Sequence, residues 1–257
     1  MAETAIEWTD ATWNPVTGCD RISPGCENCY ALTLAARLKA MGQDRYQRDG
    51  DPRTSGPGFG LTLHPDKLAE PGRWRKPRMV FVNSMSDLFH KDVPANYIER
   101  VFNVMGSLPR HTFQVLTKRP KRMARVLADY YEITDQEPFP NVWLGTSIES
   151  QEYAWRADRL REAPAAVRFI SAEPLIGPVD DLDLIGIDWL IVGGESGANH
   201  RRFDPNWARS LRAQARANGT AFFFKQHGGR TPKAGGNVLD GKTYQEFPCQ
   251  PPTERSN

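Results

Sequence analysis

Six apolar runs, each turning polar at its C-terminal end, recur along the chain: MVFVNS from Met79, FQVLTK from Phe113, NVWLGTS from Asn141, RFISAEP from Arg168, WLIVGGES from Trp189 and AFFFKQ from Ala221. Runs this short and this rich in Val, Ile, Leu and Phe read as strands, and a seventh, weaker run, ATWNP from Ala11, precedes them. The segments between carry helical periodicity. Ile98, Val101, Phe102, Met105 and Leu108 form one apolar stripe after Pro94, which should pack on the sheet. Tyr30, Leu34, Leu38 and Met41 recur similarly before Gly42, a residue suited to stopping a helix. Asp204 and Pro205 fit the N-cap and first turn of a helix that Gly219 would end. Strands alternating with helices imply a parallel sheet, and 257 residues suit one (β/α) barrel. The expected fold is a single α/β domain over residues 1–257, a parallel (β/α) barrel, partial or complete, of six to eight units.

Two stretches fall outside that rhythm. Residues 43–78 are rich in Gly, Pro and charge and read as an irregular insertion or lid; the tail from about Thr231 is irregular too. The sequence offers no 18-residue apolar run, and its start, MAETAIEWTD, lacks the basic and apolar regions of a signal peptide. A soluble, cytoplasmic protein without a membrane partner is expected. A net charge of +2 implies no partner by itself.

The polar strand ends say where chemistry would lie. They are Asn83, Ser84, Ser86 and Asp87; Thr117, Lys118 and Arg119; Thr146, Ser147 and Glu149; Ser171 and Glu173; Glu195 and Ser196; Lys225, Gln226 and His227. In a parallel barrel these ends converge on one face, where such folds place their active sites. Any one of them alone reads as ordinary loop polarity; their recurrence points to a site.

The stretch TWNPVTGCDRISPGCENCYA, residues 12–31, lies on that face and holds Cys19, Cys26 and Cys29 in the spacing C-x6-C-x2-C. Cytosolic thiols stay reduced, so this trio points to a metal rather than a disulfide, with Cys249 left over. Structural zinc takes four protein ligands and would need Cys249 or one of the singly scattered His64, His90, His111, His200 and His227. Three thiolates on one loop also suit a 4Fe-4S cluster whose fourth iron is open to an exogenous ligand. Gly18, Pro24 and Gly25 would let the loop curl, with Cys29 at the start of the next helix.

The blocks WNPVTGCDRISPGCENCYA, VFVNSMSDLFH, FQVLTKRP, WLGTSIE, RFISAEPLIG and LIVGGESG, spread in order over residues 8 to about 229, resemble the phage-associated three-cysteine-motif proteins. That family in turn resembles the radical S-adenosylmethionine (radical SAM) superfamily, which includes DNA-repair members such as the spore photoproduct lyases. The resemblance implies a 4Fe-4S cluster on Cys19, Cys26 and Cys29, with SAM bound to the open iron through its amino and carboxylate groups. An electron donor would then drive its cleavage to a 5′-deoxyadenosyl radical. The chain departs from the superfamily pattern of C-x3-C-x2-C with an aromatic before the last cysteine: its first gap is six, Asn28 precedes Cys29 and Tyr30 follows. Its Gly193-Gly194-Glu195 falls on the fifth or sixth strand rather than the second.

SAM needs a cation for its carboxylate and acceptors for its ammonium and ribose hydroxyls. Lys118 or Arg119 fits the first need. Asn83, Ser84 and Asp87 fit the ammonium, Ser147, Glu149, Glu173 and Glu195 add acceptors, and Gly193 and Gly194 admit close backbone approach. Ordinary strand-end hydrogen bonds and ion pairs are the alternative for each. Basic clusters add a polyanionic partner, DNA or RNA: Arg73, Arg75 and Lys76 surround Trp74, and Arg119, Lys121 and Arg122 follow a strand. Phosphate contacts with a base stacked on Trp74 are expected. The leading function is a radical SAM-like enzyme of lyase or transferase class, acting in nucleic-acid repair or modification. An iron-sulfur electron-transfer or sensory protein without SAM chemistry, and a zinc-stabilised nucleic-acid-binding module, are the alternatives. Substrate and oligomeric state are not legible.

Overall fold

A computed structural model describes residue 4 and residues 6–231 and 233–248; Cys249 lies outside them. All seven apolar runs form one sheet, in the order β1 (Ala11–Trp13), β4 (Met79–Val82), β5 (Thr112–Thr117), β6 (Val142–Ser147), β7 (Val167–Ala172), β8 (Trp189–Gly193) and β9 (Ala221–Gln226). Every neighbouring pair is parallel. Outside it, β2 (Val16–Thr17) and β3 (Thr62–Leu63) make a short antiparallel ribbon.

The runs read as continuously apolar because both faces of the sheet are buried. Val80, Val82, Phe113, Val115, Leu144, Ile170, Leu190 and Phe224 pack in the main core that also takes in the helices, while Phe81, Trp143, Phe169, Trp189, Ile191 and Phe223 fill the other face. Trp8, just before the edge strand β1, meets both Phe81 on β4 (4.8 Å between ring centroids) and Trp189 on β8 (6.2 Å). Only a curled sheet brings those strands to one ring. Among the described residues β1 and β9 do not pair, so the sheet is a half-barrel with open edges, the partial form of the expected barrel. The stretch 173–188 between β7 and β8 holds no helix, which interrupts the β/α repeat.

Five α-helices occur among the described residues: α1 (Tyr30–Ala40), α2 (Ala95–Gly106), α3 (Pro120–Thr134), α4 (Arg156–Arg161) and α5 (Pro205–Asn218). α2 buries Ile98, Val101, Phe102 and Met105 of the expected stripe, and Leu108 falls just beyond its end. In α5 the Asp204 carboxylate accepts from the Asn206 amide at 2.9 Å, and Gly219 ends the helix at φ +67°. α1 departs from expectation: its small Ala31 and Ala35 face inward, leaving Tyr30, Leu34 and Met41 exposed.

The segment 43–78 has little regular structure, yet it forms a bed for the cysteine loop. Arg21 donates its amide to Thr54 O (2.8 Å), Thr54 Oγ1 donates to Asp20 (2.7 Å), and Thr17 Oγ1 bonds His64 Nε2 (2.8 Å). Gly18, at φ +86°, is required here, since a Cβ would stand 2.4 Å from Gly60 O. At the other end of the chain, β10 (Val238–Leu239) and β11 (Lys242–Thr243) pair, and Trp189 Nε1 donates to Glu246 O at 2.8 Å.

Arg73, Arg75 and Lys76 precede β4 and so lie at the N-terminal end of the sheet, opposite the polar strand ends. Phosphate contacts from these three residues would therefore fall on the face opposite the site. Trp74 is corrected: its indole is buried, edge-on to His111 at 5.8 Å, and cannot offer a face to a base. Trp74→Leu should accordingly cost about 1–3 kcal/mol of stability and leave oligonucleotide affinity unchanged. Melting curves beside fluorescence anisotropy check this; lost affinity at unchanged stability would reverse the assignment.

Candidate functional site

A cavity of about 600 Å³ opens at the C-terminal strand ends, and Cys19, Cys26 and Cys29 all line it. That is room for a ligand of cofactor size. The three thiols are free and half-buried. Each sulfur has a different neighbour. Arg119 Nη1 stands 3.7 Å from Cys19 Sγ. Ser23 Oγ stands 3.9 Å from Cys26 Sγ, across the short turn Pro24–Cys26. Cys29 takes the N-cap position of α1, where the Ala31 and Leu32 amides favour its thiolate. Burial chiefly, then Asp87, pushes the Cys19 thiol up to about 12 against the pull of Arg119. Burial also raises Cys29, and charge on Cys26 would push both neighbours further up.

Three strand-end carboxylates expected to serve a cofactor grip this loop, and two of them, Asp87 and Glu195, also line the cavity. Asp87, after β4, accepts from Thr117 Oγ1 (2.7 Å), the Phe89 amide (2.9 Å) and Arg119 Nη1 (2.9 Å), and through Arg119 reaches Cys19. Glu149, after β6, is fully buried and does not line the cavity. It accepts from Ser23 Oγ (2.6 Å) and Arg156 Nη1 (2.9 Å) and pairs with Lys118 Nζ (3.2 Å). Gly25 must be glycine for this contact, because a Cβ would stand 2.4 Å from Glu149 Cγ. Glu195, after β8, accepts from Asn28 Nδ2 (3.0 Å) and Arg201 Nε (2.9 Å), while Arg201 Nη2 donates to Pro24 O (2.9 Å). The strand ends thus fix the loop at three points.

The remaining residues divide. Ser147 and Ser171 are register neighbours on β6 and β7 and line the cavity floor. Glu173 and Lys225 pair directly across its wall. Asn83 lines it in a left-handed conformation (φ +63°), with both amide atoms buried and without a hydrogen-bond partner. Ser84 Oγ bonds the Asn14 side chain (3.2 Å), and Ser84 O accepts from Tyr30 OH (2.5 Å). Gly194 lines the cavity, but its missing Cβ makes room for His227 O, 2.3 Å from where it would stand; Gly193 lies in β8 outside the lining. Among the basic residues, Arg122 is corrected from phosphate contact to a structural role, donating to the His90 and Val93 carbonyls. Lys121 is exposed on α3. Ser23 and Asn28 are not among the expected site residues, although both lie inside the cysteine spacing. Lys225 was legible as a strand end.

A family model described as "Protein of unknown function (DUF5131)" matches residues 3–248. The chain belongs to this family. No curated protein matches it. Solved structures of spore photoproduct lyase are similar to the DUF5131 chain at low identity. One complexed with dinucleoside spore photoproduct has a TM-score of 0.43 at 12% identity, over 79% of this chain and 60% of that one. A mutant gives 0.47 at 12% over 82% and 62%, and another with bound AdoMet and dinucleoside spore photoproduct gives 0.44 at 12% over 80% and 61%. The chain thus spans 60–62% of the length of these structures. Neither the family description nor these structures carries the phage association expected from the resemblance.

The DUF5131 chain also carries its loop clamps as charge. Burial pulls the Glu149 carboxyl upward, but Lys118, Arg156 and Ser23 outweigh it and hold the group below the usual carboxylate range. Glu195 is held low in the same way, burial being outweighed by Arg201 and Asn28. A depressed carboxyl gives its full stabilisation above the ordinary Glu value of 4.5 and loses it as pH falls through the lower folded value. The melting temperature should therefore drop as pH falls below about 4.5, and Glu149→Gln should flatten that drop. Circular dichroism melts across the acid range check this; parallel slopes for wild type and variant would contradict it.

Proposed function

We propose that Cys19, Cys26 and Cys29 hold a 4Fe-4S cluster and that the cavity beside it receives SAM, making the chain a radical SAM-like enzyme. The donor set carries this reading: three thiols from one loop face one cavity, and three strand-end carboxylates hold that loop in place. A cluster spaces its thiolates around a larger body, one per iron. Three thiolates fill three of its four irons, where structural zinc would need a fourth protein ligand. Four of the five histidines are engaged elsewhere, His64 with Thr17, His90 with Asp20, His200 with Gly197 and His227 with Val238, and His111 is buried against Trp74 and Phe113.

When bound, the cluster would pass an electron from an external donor to SAM. The chain's own part is to hold the amino-acid end of SAM. With Asp87, Glu149 and Glu195 committed to the loop, Lys225 and Glu173 are the charged pair suited to carboxylate and ammonium. Ser147 and Ser171 offer hydroxyls on the floor, and Asn83 offers its unpartnered amide. Nucleic acid is the proposed substrate, with exposed Lys121 and Arg202, next in the chain to Arg119 and Arg201, as its phosphate contacts.

Anaerobically reconstituted protein tests both parts. SAM should change the electron paramagnetic resonance spectrum of the reduced cluster, dithionite should release 5′-deoxyadenosine, and Lys225→Met should weaken SAM binding about tenfold. A spectrum indifferent to SAM, with no cleavage, would favour the electron-transfer or sensory alternative. Single-stranded oligonucleotide should bind with a salt dependence whose log-log slope drops by roughly one to two in Lys121→Ala with Arg202→Ala. No binding at low salt would remove nucleic acid from the proposal.

A further inference from the structure

We propose that Asp87 and Arg119 form a charge-tuning pair that acts on the redox poise of the site through the Cys19 sulfur. This rests on the reading that the three thiols hold an iron-sulfur cluster.

The pair is built to keep one guanidinium nitrogen on one sulfur. Arg119 Nη1 reaches both Asp87 Oδ2 (2.9 Å) and Cys19 Sγ (3.7 Å). Its backbone amide donates to Thr117 Oγ1 (2.9 Å), and that hydroxyl donates to Asp87 Oδ1 (2.7 Å), closing a ring. Asp87 is itself pinned by the Phe89 and Lys118 amides at 2.9 and 3.2 Å. Both side chains are largely buried, 14% and 8% exposed. The guanidinium is therefore held in place rather than free to swing into solvent. By contrast, the hydrogen-bond neighbours of Cys26 and Cys29 are a hydroxyl and two amides, and Lys118, the cation that bears on Cys29, is itself paired with Glu149.

Reduction adds negative charge to a cluster and its thiolates, so a cationic donor on a ligating sulfur favours the reduced state and a nearby carboxylate opposes it. Arg119 and Asp87 act on Cys19 in these opposite senses. Removing the cation both deletes the donor and unmasks the carboxylate, whereas neutralising the carboxylate leaves the cation unopposed. The two substitutions should then move the potential in opposite directions, which a merely structural pair would not do. Asp87 and Arg119 are positioning residues in this scheme.

The test is a redox titration of the reconstituted chain followed by electron paramagnetic resonance, with iron content and a melting curve measured beside it. Arg119→Met should lower the midpoint by a tenfold change in the reduction equilibrium, 59 mV for one electron. Arg119→Lys should recover part of that, and Asp87→Asn should raise the midpoint by a similar factor. Should Arg119→Met fail to fold or to keep its iron, Asp87→Asn carries the test through the sign of its shift. Midpoints within twofold of wild type, or shifts of one sign in both variants, overturn the tuning pair while leaving the cluster standing. A wild-type chain that takes up no iron overturns both.

Discussion

Glu149→Ala should cost the fold about 3–5 kcal/mol, because it leaves buried charge without its partner. Arg156 is 2% exposed and donates through Nη1 to Glu149 and to Ser147 O (2.9 Å each); Lys118 is only 18% exposed on its side chain. Neither cation has an easy route to water once the carboxylate is gone. The same change frees Ser23, so the loop loses the tether that sits between Cys19 and Cys26. Glu149→Leu combined with Arg156→Met should cost less than Glu149→Ala alone, since a neutral, filled site carries no stranded charge. Denaturant unfolding reads both, and a loss below about 1 kcal/mol for Glu149→Ala would show that the pair behaves like an exposed one.

Cys19→Ala, Cys26→Ala and Cys29→Ala should each remove most of the iron taken up by the reconstituted chain, and Cys249→Ala should not. The three thiols line the same cavity, and none has a side-chain substitute at hand: the carboxylates near them are bound to Arg119, Arg156 and Arg201. Loss of a ligating thiolate leaves one iron of a cluster without its protein bond. Iron assay per chain, beside a melting curve to exclude unfolding, is the measurement. Full retention of iron in any one of the three would remove that cysteine from the ligand set.

The strands were legible because burial on both faces makes them continuous apolar runs; MVFV and WLIVG start where expected, at Met79 and Trp189. Closure was not legible, since it depends on whether β1 and β9 meet, and neither carries a signal for its distant partner. The clamp carboxylates show the same limit at the scale of one side chain. A Glu after a strand announces polarity at the C-terminal face, but Glu149 finds Ser23 at a separation of 126 residues and Glu195 finds Asn28 at 167. Such partners are chosen by the curl of the sheet. Trp74, flanked by Arg73 and Arg75, reads like a stacking platform until His111 is seen to cover it. In α1 the small Ala31 and Ala35, rather than the larger apolar residues, face inward, and their size lets the helix lie close to its neighbours.

Metal analysis of the anaerobically reconstituted wild-type chain tests the central claim most directly. A cluster held by three thiolates predicts about four irons and four sulfides per chain, with an electron paramagnetic resonance signal on reduction. One zinc per chain, with neither sulfide nor a resonance signal after reconstitution, would contradict it.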